Sequence, residues 1–104
     1  MPSFDDRENA FENKFAHDAE MQFKAESRRN KLAGLWAAGL LDKSEEDAAI
    51  YAKDVIKAFF GDAGAEGVYR KLFEDVGHLA DEGTIRGKMS ELLTVARAQL
   101  LSES

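Results

Sequence analysis

The sequence has no cysteine among its 104 residues and only one proline, Pro2. Without cysteine there can be no disulfide framework, no thiol nucleophile and no zinc or iron–sulfur site with cysteine ligands. Because the proline is the second residue, no proline ring interrupts a helix in the rest of the chain. A chain of this length forms one compact domain, which excludes a multidomain enzyme.

Basic residues are also fewer than acidic residues. The chain has 14 lysine and arginine residues against 20 aspartate and glutamate residues, which gives a formal net charge of -6. Nucleic-acid binding draws on counterion release at a basic surface, so we expect no nucleic-acid partner. No apolar run has the length of a membrane span, and the N-terminus lacks the pattern of a signal peptide. We therefore expect a cytoplasmic protein without direct membrane insertion.

Residues that favour β-strands are few, since valine, isoleucine and threonine together number nine. Alanine, leucine, glutamate and lysine, which favour helices, are abundant, and no alternating strand pattern is present. Three helix boundaries are visible. They lie at Ser44, which with Asp47 resembles a capping box, at the glycine-rich stretch 61–67, and between residues 77 and 83, where Asp81 could cap a helix. We predict an all-α fold, a four-helix bundle.

Each predicted helix has apolar residues at the spacing of one buried face. These candidate core residues are Leu32, Leu35, Trp36 and Leu40 in the first helix; Ala52, Val55, Ile56 and Phe59 in the second; Val68 or Tyr69, Leu72, Phe73, Val76 and Leu79 in the third; and Ile85, Met89, Leu92, Ala96 and Leu100 in the fourth.

The first helix is predicted to be longer than its partners. Nothing between Phe4 and Leu41 forbids a single helix roughly 55 Å long at 1.5 Å per residue, about twice the reach of the others. A helix that has no partner in its own chain frays or projects from the fold. We therefore predict a mobile N-terminal arm, residues 1–22, followed by the four-helix bundle, residues 23–104.

The predicted arm has an aromatic stripe, because Phe4, Phe11 and Phe15 fall within about 40° of one another on a helix. Two interpretations are open. The stripe could fold back onto the bundle as ordinary core, or it could insert into a groove of another protein. The other face of the arm is acidic, which disfavours a helix lying on anionic lipid.

A basic segment follows the arm, with Lys24, Arg28, Arg29 and Lys31 close together. Ala25 is the only apolar residue between Lys24 and Lys31, so we expect this stretch to be solvated. Contact with a phosphate or an acidic protein is the alternative.

No arrangement of residues indicates catalysis or metal binding. His17 and His78 have no companion at metal-ligand spacing. Residues 83–89 lack the spacing of a phosphate-binding loop, and the glycine-rich stretch that begins at Asp62 lacks two of the oxygen ligands of a calcium loop. Carboxylates and lysines are scattered without converging on a pocket. We predict that the protein is not an enzyme and needs no cofactor.

Several segments together resemble the zeta subunit of alphaproteobacterial ATP synthases. The most specific part runs over the first 41 residues, and a looser likeness continues to the C-terminus. The matching segments are Phe4-Asp5-Asp6-Arg7-Glu8, Lys14-Phe15-Ala16, Asp18, Phe23-Lys24-Ala25-Glu26, Arg28-Arg29-Asn30-Lys31-Leu32, Trp36-Ala37-Ala38-Gly39-Leu40-Leu41, Asp81-Glu82, Thr84-Ile85-Arg86 and Lys88-Met89.

The resemblance implies a small inhibitor of ATP hydrolysis with a four-helix bundle fold. Its partner would be the catalytic head of the membrane-bound ATP synthase, formed by alpha, beta and rotor subunits. In the family the N-terminal segment is mobile when free and becomes a helix wedged into an alpha/beta interface against the rotor, so that rotation in the hydrolysis direction is blocked.

The resemblance places the partner-binding residues in the arm. Three phenylalanines would anchor the helix and charged residues would fix its register; these residues are Phe4, Asp5, Asp6, Arg7, Glu8, Phe11, Lys14, Phe15 and Asp18. The alternative is a four-helix regulatory module that binds a small ligand, such as a nucleotide, or another protein through its bundle.

Overall fold

All regular secondary structure is helical in the computed structural model, which describes residues 19–61 and 64–103. Four helices follow one another along the chain, and this confirms the predicted fold class. They are α1 (Ala19–Leu40), α2 (Glu45–Phe59), α3 (Ala65–Val76) and α4 (Glu82–Glu103). Residues 1–18, which we call the N-terminal segment, precede the described part of the chain.

The helix ends follow from local sequence. Ser44 caps α2 by accepting a hydrogen bond from the Asp47 amide at 3.1 Å, and Asp81 caps α4 by accepting one from the Thr84 amide at 2.8 Å. This hydrogen bond holds the pKa of Asp81 below its usual value. α1 ends in a Schellman motif, in which Asp42 takes a left-handed conformation with φ 58° and the Lys43 amide donates to the Ala38 carbonyl at 3.0 Å. The three predicted boundaries between helices are confirmed.

The helix α1 is the centre of the packing, with α2 and α4 as its principal neighbours. The largest completely buried apolar side chains come from the other three helices, namely Val55, Val68, Leu72, Val76 and Ile85. Aliphatic residues of α2, α3 and α4 therefore fill the interior that α1 closes.

The buried face of α1 differs from the predicted one. Leu35 and Leu40 are more than a third exposed, whereas the buried apolar residues of α1 are small: Ala25, Ala33, Gly34, Ala37 and Ala38. The reason is a close approach of α1 to α2. A Cβ atom added at Gly34 would lie only 2.7 Å from the Cα of Ala52.

The prediction of a buried position is also wrong for two residues in the region of the third helix. Phe73 and Leu79 are about half exposed, while Tyr69, which was an alternative to Val68, is buried together with it. Tyr69 is covered by the guanidinium of Arg86, which lies 3.7 Å from the ring centroid. Arg86 also pairs with Glu66 at 2.9 Å, so an aromatic ring and two charges join α3 to α4.

A second polar contact joins α2 to α3. The Tyr51 hydroxyl donates a hydrogen bond to the Asp75 carboxylate at 2.8 Å, and Lys71 pairs with the same carboxylate at 3.0 Å. Burial and this hydrogen bond raise the pKa of Tyr51 above its ordinary value. The ring remains a neutral donor at physiological pH, which keeps the contact intact.

Candidate functional site

The nine predicted partner-binding residues all lie in the N-terminal segment, outside the described residues: Phe4, Asp5, Asp6, Arg7, Glu8, Phe11, Lys14, Phe15 and Asp18. His17 lies there as well. The structure instead describes the surface from which this segment departs, because residues 19–22 form the first turn of α1. The candidate site that the structure describes consists of the beginning of α1 and the side chains around it.

Three phenylalanine rings cluster beside the beginning of α1. The ring centroid of Phe23 lies 6.5 Å from that of Phe59 and 5.7 Å from that of Phe60, and the last two rings are 5.8 Å apart. Phe23 is 46% exposed and Phe60 is 60% exposed. The cluster therefore leaves apolar ring surface accessible beside the beginning of α1.

A groove of about 550 Å³ opens next to this cluster, between the first half of α1, the second half of α2 and the end of α4. Its apolar lining comes from Phe23, Ile56 and Leu100, one residue from each helix. The polar lining comes almost entirely from α1 and is mostly basic; these residues are Lys24, Ser27, Arg28, Lys31 and Glu103.

The charges on the rim of the groove are unevenly paired. Arg28 donates to both carboxylate oxygens of Glu103, which raises the pKa of Arg28 and lowers that of Glu103. Lys24 pairs with Glu20 one turn away at 3.3 Å. Lys31 has no ion pair within residues 19–61 and 64–103. The rim therefore keeps an uncompensated positive charge next to an apolar floor.

The expectation that the whole stretch from Lys24 to Lys31 is solvated is wrong. Arg29 is 5% exposed and Asn30 is completely buried, and the Arg29 Nε donates to the Asn30 Oδ1 at 2.7 Å. Desolvation lowers the pKa of Arg29, although the nearby Glu26 opposes this effect. The missed signal is a row at four-residue spacing, Ala25, Arg29, Ala33 and Ala37, in which the arginine lies on the buried face of α1.

Two nitrogens of this buried pair have no hydrogen-bond partner in the part of the chain that the structure describes. They are the Nη2 of Arg29 and the Nδ2 of Asn30. Such groups cost free energy when they are buried without a partner. The hydrogen bond between Arg29 and Asn30 therefore leaves two buried donors unsatisfied, and the positively charged side chains that line the groove are Lys24, Arg28 and Lys31.

Two further sequence observations can be placed. Residues 83–89, which superficially resemble a phosphate-binding loop, form part of α4. Among residues 19–61 and 64–103, no helix combines the length and the hydrophobicity that a transmembrane segment requires.

Comparison with known proteins places this bundle in a family. The profile of the family described as ATPase inhibitor subunit zeta matches residues 1–99. A structure determined by solution NMR is 50% identical and superimposes with a TM-score of 0.74; the alignment covers 81% of this chain and 99% of that one. No curated protein matches the sequence significantly. The chain belongs to the ATPase inhibitor subunit zeta family.

Proposed function

We propose that the chain inhibits ATP hydrolysis by the F-type ATP synthase by inserting its arm, residues 1–22, as a helix between the alpha, beta and rotor subunits. Membership of a family of inhibitor subunits supports this function. The protein acts as a regulator without catalysis or a cofactor of its own. Its place is at the catalytic head of the synthase, on the cytoplasmic side of the bacterial membrane.

The observation that carries the proposal is the extent of the family match. It begins at residue 1 and so includes the N-terminal segment together with its phenylalanine stripe. The buried core, in contrast, is assembled from residues of α1 to α4 between Ala25 and Ala96. This separation supports the proposal that the bundle forms the stable fold and the N-terminal segment binds the synthase.

The proposed mechanism is coupled folding and binding. The side chains of Phe4, Phe11 and Phe15 become buried in the alpha/beta interface, and their burial offsets the ordering of the segment. The charged residues fix the register of the helix; these are Asp5, Asp6, Arg7, Glu8, Lys14 and Asp18. Rotation in the hydrolysis direction is then obstructed, and rotation in the synthesis direction ejects the helix.

The packing of α1 supports a mechanical role for the bundle. From Ala25 to Ala38 this helix is held between α2 and α4, and it extends without interruption to Ala19. A helix that continued from Ala19 into the N-terminal segment would be fixed at its base by the whole domain. Force from the rotor would therefore act on a helix that is anchored in the bundle, and not on a free peptide.

The alternative function is binding of a small ligand, such as a nucleotide, or of another protein by the bundle itself. The groove with Lys24, Arg28 and Lys31 favours it, because these side chains could hold an anionic group. The two functions differ in what they require. Binding through the bundle survives removal of residues 1–18, whereas inhibition by the arm does not.

A test of the function compares the two directions of the synthase in inverted membrane vesicles from the same organism. With the purified chain added, we expect ATP hydrolysis to fall while proton-driven ATP synthesis continues. A Phe73→Ala variant, altered at an exposed phenylalanine on α3, should inhibit as the native chain does. Unchanged hydrolysis would contradict inhibition, and equal loss of synthesis would contradict a directional block.

A further inference from the structure

The groove described above is not used by the proposed mechanism, which places every anchoring residue in the arm. Its floor of Phe23, Ile56 and Leu100 is apolar and open, and the exposed ring of Phe60 continues it. Apolar surface of this kind gains free energy when another apolar group covers it. The groove therefore fits a segment that presents aromatic side chains in a row.

The rim of the groove specifies the charge of its occupant. Lys24, Arg28 and Lys31 lie along one side of α1, in a chain whose formal net charge is -6. Glu103 offsets Arg28 and Glu20 pairs with Lys24, so Lys31 carries the positive charge that remains at the rim. An acidic occupant is attracted to this rim, and the attraction weakens as salt is added.

The N-terminal segment has both properties. The sequence spacing of Phe4, Phe11 and Phe15 would place them on one face of a helix, and five acidic residues accompany them against two basic ones, Arg7 and Lys14. Hydrophobic and electrostatic complementarity therefore point to the same occupant. The bundle presents an apolar floor with a basic rim, and the segment presents an aromatic stripe with an acidic flank.

The segment is also long enough to reach the groove. From Phe23 to Lys31 the groove follows about 12 Å of helix at 1.5 Å per residue. The chain between Phe15 and Ala19 can span up to ~14 Å at ~3.4 Å per residue, which exceeds the ~6 Å of helix from Ala19 to Phe23. A reversal just before Ala19 would lay Phe11 and Phe15 along the groove without any change in the bundle.

We infer that the groove binds the phenylalanine stripe of residues 4–15 of the same chain in a reversible contact. In the free protein the anchors are then partly covered. They must leave the groove before they enter the synthase, so the groove and the synthase compete for the same side chains. The competition rests on the proposed function, whereas the contact itself does not.

Paramagnetic broadening in the full chain tests the contact. The native sequence has no cysteine, so Ala10→Cys provides a single site for a nitroxide label. We expect the amide signals of Ile56 and Leu100, both distant in sequence from the label, to broaden strongly at low salt. The amide signals of Phe73 on α3 and of Leu79, three residues after the end of α3, serve as the reference and should stay sharp.

A matched variant, Lys24→Glu with Lys31→Glu, changes two exposed rim residues and leaves the apolar floor intact. With the label in place it should restore the signals of Ile56 and Leu100, as should high salt. Signals of Ile56 and Leu100 that stay sharp in the native chain would overturn the inference. Broadening that is transferred to an unlabelled chain mixed with a labelled one would also overturn it, because the occupant would be a second copy.

Inhibition of ATP hydrolysis tests the competition separately. If the contact covers the segment in about nine free chains of ten, the rim variant should reach half-inhibition at an about tenfold lower concentration. An unchanged or higher concentration would overturn the competition. Failure of the proposed function gives a different result, since neither chain would then inhibit while the broadening of Ile56 and Leu100 would persist.

Discussion

A chain in which Phe4, Phe11 and Phe15 are all replaced by alanine is expected to inhibit ATP hydrolysis at least about 100-fold less effectively than the native chain. Aromatic anchors that become buried at an interface each contribute on the order of 2 kcal/mol or more, and their effects are not additive. The three substitutions together therefore remove most of the binding free energy that the arm supplies. The measurement is the concentration that gives half-inhibition.

Two controls separate this effect from damage to the fold. The circular dichroism spectrum of the triple variant should match that of the native chain, because the buried core lies between Ala25 and Ala96 and is unchanged. Phe73→Ala provides the same change of side chain at an exposed position on α3 and should leave inhibition unchanged. A triple variant that inhibits at native concentrations would show that the stripe is not the anchor.

Replacing Gly34 with alanine is expected to lower the free energy of unfolding by about 2 kcal/mol, the range found when a well-packed core is overfilled. The added Cβ would lie 2.7 Å from the Cα of Ala52 and 3.3 Å from the Cγ2 of Val55. Because the nearer atom belongs to the backbone of α2, the two helices must move apart. Urea denaturation measures the loss as a lower transition midpoint.

The matched control is Gly39→Ala in the same helix. A Cβ atom at this position meets nothing within 4 Å in the described structure, so the substitution should leave stability unchanged or raise it by up to about 1 kcal/mol through helix propensity. Equal midpoints for the two variants would contradict the close approach of α1 and α2 at Gly34.

The sequence allowed the helices to be predicted because their ends depend on local chemistry. Ser44 and Asp81 cap α2 and α4 through hydrogen bonds to amides three residues ahead, a relation that the sequence displays directly. The buried faces of α2 and α4 were also largely predicted, since their large apolar residues point inward. These features require no knowledge of distant contacts.

The face of α1 could not be predicted in the same way. Its orientation depends on how closely α2 approaches, and that distance is set by Gly34 and Ala52, which carry little hydrophobicity of their own. Hydrophobic periodicity gives most weight to large apolar residues, so it predicted that Leu35 and Leu40 are buried. The burial of Arg29 has the same cause, because its position on the row of small residues outweighs its charge.

The groove could not be predicted from the sequence, for a different reason. Phe23, Ile56 and Leu100 come from three helices and meet only when the bundle has formed. The partner-binding residues of the arm, in contrast, were predicted from a resemblance that covers a continuous stretch of chain. These residues lie outside the described part of the chain, and their roles remain predictions. Two of them, Phe11 and Phe15, belong both to the proposed function and to the proposed contact with the groove.

The most direct test of the central claim is ATP hydrolysis by the catalytic head from the same organism, titrated with the full chain and with a chain lacking residues 1–18. The shorter chain retains all of α1 to α4, and circular dichroism establishes that it is folded. We predict that the full chain inhibits and that the folded shorter chain does not. Equal inhibition by both chains would contradict the account and assign the activity to the bundle.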